Sequence, residues 1–252
     1  MEIWGCAYEK KIKNDLMKNE GEVKKPLDPR DSLAGGRTNA FILHHIGSIG
    51  YVDFTSLYPY IQKYGVFPIG HPKIIFENFD KIENYFGLIY CKILPPTNLY
   101  IPVLPFKQNN KLMFPLCLKC CEENSLKCNH EDNERCLEGT WVILEVLEAL
   151  KLGYKIIKIF EIWHYEERSQ YNSDKKNGGL FTSYVNTFLK IKQEASGYPE
   201  WVLTEDDKDL CVKDYLHHEG ILLDKTKIKV NSGLQALSKL LLNSQWGRYE
   251  HR

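Results

Sequence analysis

Asp53 is a carboxylate in an apolar stretch of the 252-residue chain, and it is the first residue whose surroundings suggest chemistry. The residues from Ile49 to Phe54 are mostly β-branched or aromatic and predict a strand. Pro59 ends the strand, because it has no N–H to donate, and it biases Tyr58 away from the helical region. A carboxylate buried in a strand needs a cation or N–H donors. With a hydroxyl at Ser56 and a phenol at Tyr58, the stretch predicts a site for a metal-bound polyphosphate.

Cysteines form the second candidate site, since five of the eight in the chain fall between residues 117 and 136. A Cys-x-x-Cys pair places two thiolates on one tetrahedral ion, and a nearby Cys-x-His pair can supply two further ligands. The predicted zinc ligands are Cys117, Cys120, Cys128 and His130, which leaves Cys121 and Cys136 as spare thiols. Four protein ligands leave no position for water, so a zinc site here is structural. The alternative is a loop of reduced cysteines.

A third set of polar side chains lies on the last predicted helix, at residues 231–247. Its apolar face consists of Leu234, Leu237 and Leu241. The opposite face presents Lys239, Asn243 and Trp246 at i, i+4 and i+7 spacing. An ammonium and an amide one turn apart suit a triphosphate, and an indole suits a base or a sugar. The alternative is a solvated face with a partly buried tryptophan.

Composition limits the classes of function. The chain has 33 basic and 33 acidic residues, so its formal net charge is zero and nucleic acid could be attracted only by local basic clusters. One such element is Gly35-Gly36-Arg37, where paired glycines permit close backbone approach to a phosphate, although a plain turn explains it equally well. The N-terminus lacks the pattern of a signal peptide, which predicts a protein that is not secreted. The sequence contains no run of about 18 apolar residues, so no membrane span is predicted.

The predicted elements give an α+β fold. Between residues 40 and 105, short strands in an antiparallel meander are predicted at 41–44, 49–54, 74–76, 88–94 and 100–104, with one helical turn at 61–64. Apolar periodicity then predicts a helix at 140–152 and a strand at 155–164, followed by a polar loop at 169–179. Helices are predicted at 180–196, 204–220 and 231–247, the second opened by a capping box of Thr204 and Asp207.

Two long motifs, in this order, resemble those of the family B DNA polymerases. Residues 53–59, Asp-Phe-Thr-Ser-Leu-Tyr-Pro, resemble the first palm motif, Asp-x-x-Ser-Leu-Tyr-Pro. Residues 239–247 resemble the fingers motif, Lys-x-x-x-Asn-Ser-x-Tyr-Gly, with Trp246 in the tyrosine position. Gly35-Gly36-Arg37 resembles the family's Gly-Gly element, without the aromatic residue that usually precedes it. The cysteine pairs and the segments at 139–141 and 191–195 resemble the protein-primed branch, which serves viruses, linear plasmids and virus-like transposons.

The resemblance implies template-directed nucleotidyl transfer with two Mg²⁺ ions held by Asp53. It implies primer-template DNA, dNTPs and a terminal priming protein as partners. Tyr58 would pack beneath the deoxyribose and exclude a 2′-hydroxyl, while Lys239 and Asn243 would hold the triphosphate. The nucleotide would be contacted by Phe54, Thr55, Ser56, Leu57, Tyr58, Lys239, Asn243, Trp246 and Gly247, and DNA by Gly35, Gly36, Arg37, Lys190 and Lys192.

The resemblance also implies an incomplete polymerase fold. Residues 1–33 are expected to be a linker from an absent exonuclease-like region. Residues 34–178 would be a partial palm with an antiparallel sheet and a zinc-knuckle-like insertion at 117–136, and residues 179–252 the helical fingers. The family's second metal-binding element, Tyr-x-Asp-Thr-Asp, does not occur in the sequence, so the chain alone is expected to polymerise poorly or not at all. The alternative function is a non-catalytic nucleic-acid-binding or zinc-binding remnant of a transposon polymerase.

Overall fold

The computed structural model of the chain describes residues 25–37, 42–54, 56–108, 111–125 and 127–250, with side chains as far as residue 245. The predictions for Phe41, Thr55 and the Trp246 side chain lie outside this part. The helices are α1 (Leu57–Tyr64), α2 (Leu118–Glu123), α3 (Asp132–Arg135), α4 (Ile143–Lys151), α5 (Thr182–Ala195), α6 (Glu205–Glu219) and α7 (Ser232–Glu250). The strands are β1 (Phe67–Pro68), β2 (Lys73–Ile75), β3 (Gly87–Leu94), β4 (Phe106–Gln108), β5 (Lys111–Met113), β6 (Leu137–Val142), β7 (Lys155–His164), β8 (Arg168–Ser169), β9 (Tyr171–Asn172) and β10 (Asn177–Gly178). None of the described helices is long and apolar enough to cross a membrane.

The chain divides into two compact units. One unit runs through Gly35 and resumes at residues 74–164, and the other comprises residues 36–73 and 165 onward. The first unit contains the larger sheet and the cysteine cluster. The second contains α1, α5, α6 and α7, and therefore both of the polymerase-like motifs.

A four-stranded sheet with the order β2-β7-β3-β6 forms the centre of the first unit. Strand β3 pairs antiparallel with both β6 and β7. The predicted antiparallel sheet is confirmed. The predicted meander is wrong, because the neighbours of β3 come from residues 137–142 and 155–164 rather than from the strands next to it in sequence. The sheet buries Ile89, Ile93, Leu137 and Trp141 in one cluster with Val146 of α4.

Two of the five short-strand predictions are confirmed, since β2 and β3 occur at the predicted positions to within one or two residues. The segments at 42–44, 49–54 and 100–104 are not strands. A strand is stable only with hydrogen-bonded neighbours, and none of these segments pairs with another in the part of the chain that the structure describes. Their β-branched and aromatic side chains favour a strand, but a strand forms only where such side chains pack against neighbouring strands.

The predicted helix at 140–152 begins later than expected. Residues Thr140, Trp141 and Val142 belong to β6, where they pair with residues 88–90 of β3, and helix α4 starts at Ile143. The ladder with β3 and the burial of Trp141 therefore override the helical pattern. The predicted strand at 155–164 is confirmed as β7.

Residues 25–33 pack against the sheet of the first unit. Leu27 is buried, and its N–H donates to Glu161 Oε2 at 2.8 Å. Trp163 Nε1 donates to the other carboxylate oxygen of Glu161 at 2.6 Å. Glu161 is itself buried, so these two donors offset the desolvation of its charge. A 3₁₀ turn at Pro29–Ser32 then contacts β6.

Helices dominate the second unit, in which α5 packs along α7 and α1 packs against both. The predicted helices at 180–196, 204–220 and 231–247 are confirmed as α5, α6 and α7. The capping box of α6 is confirmed, because Thr204 Oγ1 accepts from the Asp207 N–H at 3.2 Å and Asp207 Oδ2 accepts from the Thr204 N–H at 2.8 Å. Gly220 ends α6 at a φ of +70°, a conformation that favours glycine. The predicted loop at 169–179 contains the short antiparallel pair of β9 and β10.

The buried face of α7 differs from the predicted one. Leu234 and Leu237, expected to anchor the helix, are 41% and 51% exposed. Ser238 and Leu242 are buried instead, while Leu241 is half-buried. Ser238 is buried at little cost, because its hydroxyl donates to the Leu234 carbonyl at 2.8 Å. Leucine spacing alone therefore assigned the wrong face.

Candidate functional site

Asp53 and the residues before it are exposed, which corrects the expectation of a carboxylate buried in a strand. Tyr51, Val52 and Phe54 keep between 77% and 89% of their surface exposed. No strand covers this segment within the described residues. Because water solvates the Asp53 carboxylate, its charge requires no protein partner, and the group is accessible to a ligand.

A sharp turn follows Asp53 and leads into α1. Ser56 adopts a left-handed conformation, with φ +58° and ψ +33°, which costs an L-residue roughly 1–2 kcal/mol. The prediction that Pro59 keeps Tyr58 out of a helix is wrong, since α1 begins at Leu57. Proline is tolerated in the first turn, because an N–H at that position would have no intrahelical acceptor. The N-terminus of α1 therefore lies directly after the turn, with backbone N–H groups that have no acceptor within the helix.

Helices α1 and α7 pack against each other, although their motifs are far apart in sequence. Tyr58, on the first turn of α1, is 56% exposed. On α7, Lys239 and Asn243 are both exposed and lie one turn apart. One unit thus contains the phenol, the ammonium and the amide that the sequence singled out.

Lys63 holds α1 in place, although no sequence motif pointed to it. Its ammonium donates to the Glu219 carbonyl at 2.8 Å and to Glu219 Oε2 at 3.0 Å. It also lies 5.2 Å from the ring centroid of Tyr64 and 5.4 Å from that of Tyr171. Burial, and then the Glu219 carboxylate, raise the pKa of Tyr64. The partners are 156 positions apart, so no local sequence pattern could have indicated the pair.

The family resemblance implies Mg²⁺ at Asp53, and the donors present fit a two-ion site only in part. A pair of ions needs several oxygen ligands. Among the described residues, no group of three or more potential metal-binding side chains includes Asp53. Asp53 therefore offers a single carboxylate where two ions would need several ligands.

The residues predicted to contact DNA lie at two places. Gly35 ends the first segment of one unit, and Gly36 begins the other unit. Lys190 and Lys192 are half-buried on α5, where the Lys190 ammonium lies 3.8 Å from Glu194 Oε1. Their role in DNA binding, like that of Arg37, stays a prediction.

The four predicted zinc ligands converge in the first unit. Their ligand atoms, from Cys117, Cys120, Cys128 and His130, all lie within 4.8 Å of one another. Cys117 precedes α2, and its sulfur accepts from the Cys120 N–H at 3.4 Å. This local bond fixes the Cys-x-x-Cys turn. The arrangement can bind a metal ion, and it is the one group of this kind found among the described residues.

A carboxylate that the sequence analysis missed completes the cluster. Glu123 Oε2 lies 3.2 Å from Nε2 of His130, whereas Nδ1 of the same ring faces the sulfurs. The signal was present but weak, because Glu123 follows Cys120 by three positions on one short helix. Cys136, a spare thiol, donates instead to the Asp132 carbonyl at 3.1 Å.

The thiols of the cluster differ in acidity. Burial, and then hydrogen bonding with the Cys117 thiol, raise the pKa of Cys120 to about 12. The backbone N–H of His130 is the main cause that lowers the pKa of Cys128 to about 7. Cys128 therefore forms a thiolate at neutral pH more readily than Cys120, which suits a cation ligand.

Comparisons with known proteins agree with the motifs. A family model described as DNA polymerase type B, organellar and viral, matches residues 1–202. A probable DNA polymerase of Neurospora intermedia is 26% identical over 161 residues, which are 59% of this chain and 14% of that protein. Two solved structures of phi29 DNA polymerase share 16% identity with the chain: a post-translocation binary complex with primer-template DNA, and a ternary complex with primer-template DNA and incoming nucleotides. Their TM-scores are 0.45 and 0.40, over 79% and 77% of this chain and 25% of each phi29 chain.

The matched residues include Asp53 and the whole cysteine cluster, whereas the motif at 239–247 lies beyond them. The chain spans only a small part of the relatives it matches. The family model nevertheless covers well over half of the sequence. The chain therefore belongs to the organellar and viral branch of the type B DNA polymerases.

Proposed function

We propose that this chain is part of a DNA-directed DNA polymerase, an enzyme of template-directed nucleotidyl transfer. The observation that carries the proposal is the packing of α1 against α7 within one unit. The first of these helices follows the palm-type motif, and the second contains the fingers-type motif. Family membership supports the same function, whereas two unrelated motifs would have no reason to occupy helices in contact.

In this proposal the polar groups of both helices bind the incoming dNTP. Lys239 and Asn243 are exposed one turn apart, so an ammonium and an amide can reach the same triphosphate. The turn at Ser56 and the N-terminus of α1 offer backbone N–H groups and the positive end of the helix dipole to a phosphate. Tyr58 limits the room for a 2′-hydroxyl, and Trp246 borders the nascent base pair.

Mg²⁺ is the cofactor of this proposed function, and Asp53 is the carboxylate of this chain that would bind it. When bound, the ions neutralise phosphate charge and activate the primer hydroxyl. The second proposed metal is a zinc ion at the Cys/His cluster.

The proposal includes the domain organisation and partners that the family implies. Residues 34–178 would form a partial palm with an insertion, residues 179–252 the fingers, and residues 1–33 a linker. Primer-template DNA would contact Gly35, Gly36, Arg37, Lys190 and Lys192. The phi29 structures contain primer-template DNA, and one of them contains incoming nucleotides, which supports these partners. A terminal priming protein is the further partner that the resemblance implies.

The test is a titration of the chain with a fluorescent dATP analogue in Mg²⁺, with primer-template DNA present. Lys239→Ala is expected to weaken binding by about tenfold or more, because a hydrogen bond to a charged group contributes about 1.5–3 kcal/mol. Lys213→Ala is the matched control, since Lys213 is an exposed lysine of α6 outside both motifs.

Equal nucleotide affinity in the wild type, Lys239→Ala and Lys213→Ala would remove the triphosphate role from α7. DNA binding without any nucleotide binding would favour the alternative function, a non-catalytic nucleic-acid-binding module.

A further inference from the structure

We infer that Cys117, Cys120, Cys128 and His130 bind one Zn²⁺ as a closed structural site, and that Glu123 orients His130 for it. The nucleotide chemistry of the proposed polymerase uses none of these residues. The inference rests on the local geometry of the insertion and does not depend on that function.

The distances between the ligand atoms fit a tetrahedral ion. With Zn–S bonds of about 2.3 Å and Zn–N bonds of about 2.0–2.1 Å, a tetrahedral angle separates sulfur from nitrogen by about 3.5 Å. From His130 Nδ1, the sulfurs of Cys117, Cys120 and Cys128 lie at 3.5, 3.4 and 3.8 Å. A disulfide would join only two of the sulfurs and would give the imidazole no reason to face all three.

The ligand chemistry selects the ion. Three thiolates and an imidazole suit a borderline-soft cation that accepts four ligands, and Cys₃His is an established structural zinc set. Mg²⁺ and Ca²⁺ prefer oxygen ligands in larger numbers. Because all four positions are filled by protein, no position remains for a reactive water.

Glu123 fixes the orientation of the imidazole. A metal-binding histidine commonly donates its second ring N–H to a carboxylate, which sets the tautomer and strengthens the ligand. Glu123 Oε2 lies 3.2 Å from His130 Nε2, so Nδ1 is the nitrogen that faces the sulfurs. The other carboxylate oxygen lies 3.7 Å from the Lys119 ammonium. Helix α2 therefore contains Cys120 and also the residue that positions His130.

The ion would stabilise an insertion that has little structure of its own. Helix α2 has six residues and α3 has four, and isolated helices of this length are unstable in water. The insertion is attached to the core of the first unit near both of its ends. Leu116 and Leu118 pack against the buried core, and Arg135, itself buried, donates to the Pro95 carbonyl at 2.7 Å. The site therefore closes the loop between these two attachments.

The charge of the insertion argues against a zinc finger that binds nucleic acid. Residues 117–136 contain five carboxylates and three basic side chains. Lys119 lies 3.4 Å from Glu122, and Arg135 lies 2.9 Å from Asp132, so two of the three cations are already paired with acids. A phosphate backbone would be repelled rather than attracted by this surface. The role assigned to the ion is thus structural.

The experiment measures zinc in the purified 252-residue chain, kept reduced, loaded with Zn²⁺ and then exposed to a competing chelator. The wild type and Cys121→Ser are expected to retain about one zinc per chain, since Cys121 lies next to Cys120 but outside the ligand group. Cys120→Ser is expected to retain less than about a tenth of that amount. Wild-type protein that binds no zinc would overturn the inference, and so would Cys121→Ser losing as much zinc as Cys120→Ser.

Cobalt loading separates the loss of a ligand from the loss of the fold. Co²⁺ in the wild type and in Cys121→Ser is expected to give thiolate charge-transfer and tetrahedral bands. Glu123→Gln is expected to keep these bands and to weaken metal affinity by about tenfold or more. Octahedral bands in the wild type would overturn the ligand set, and unchanged affinity in Glu123→Gln would overturn the role of Glu123.

Discussion

The Cys/His cluster and the Asp53 segment are both short motifs with visible chemistry, yet they differ in what surrounds them. The cluster draws its ligands from residues 117–130, and their atoms converge to within 4.8 Å. Asp53 lies in an exposed segment, with mostly exposed aromatic and aliphatic neighbours. Among the residues that the structure describes, the cluster has its chemical partners close by, whereas Asp53 belongs to no comparable group.

The difference shows how far a local motif determines a site. Cys117 and Cys120 share one turn, and Cys128 and His130 share another, so closing a single loop brings all four proposed ligands together. A nucleotidyl-transfer site needs additional carboxylates and the phosphates of a bound substrate. In the proposed function Asp53 would provide one ligand of such a site, and its carboxylate is exposed to solvent.

The largest expected effect is that of removing the metal, which should destabilise the cysteine insertion and leave the sheet of the same unit unchanged. After treatment with a strong zinc chelator, backbone amides of α2 and α3 should exchange with solvent at least about a hundredfold faster, because zinc binding provides the folding free energy of such small elements. Strands β3 and β7, in the core of the same unit, should keep their protection. Hydrogen exchange followed by mass spectrometry measures both regions in one sample. Unchanged exchange in α2 would mean that the ion does not support the insertion.

Two substitutions in and around the palm-type motif should differ in their effect on stability. Lys63→Met should lower the free energy of unfolding by about 2 kcal/mol, because it removes a buried ammonium and leaves the Glu219 carboxylate and carbonyl without that donor. Asp53→Ala should change it by less than about 0.5 kcal/mol, because Asp53 is exposed. Urea denaturation followed by circular dichroism makes the comparison. If Asp53→Ala lowered the free energy of unfolding as much as Lys63→Met, the segment around Asp53 would be packed against the protein rather than exposed.

Features that depend on residues close together in sequence were predicted correctly, whereas features that depend on distant contacts were not. The convergence of the four Cys and His side chains and the Thr204 capping box both depend on residues close together in sequence, and both are seen in the structure. The segment at 49–54 has the composition of a strand, but no strand forms, because pairing depends on distant partners. The burial of Ser238 and the contact between Lys63 and Glu219 arise from helix packing, which local periodicity does not encode.

We propose that the insertion contains a complete Cys₃His zinc site, and zinc K-edge X-ray absorption of the 252-residue chain measures the ligands of the ion. We expect about three sulfur neighbours at about 2.3 Å and one nitrogen neighbour at about 2.0–2.1 Å. In Cys121→Ser the same shell should remain, whereas Cys128→Ser should lose one sulfur. A first shell with two or fewer sulfurs in the wild type, or one dominated by oxygen, would contradict the claim.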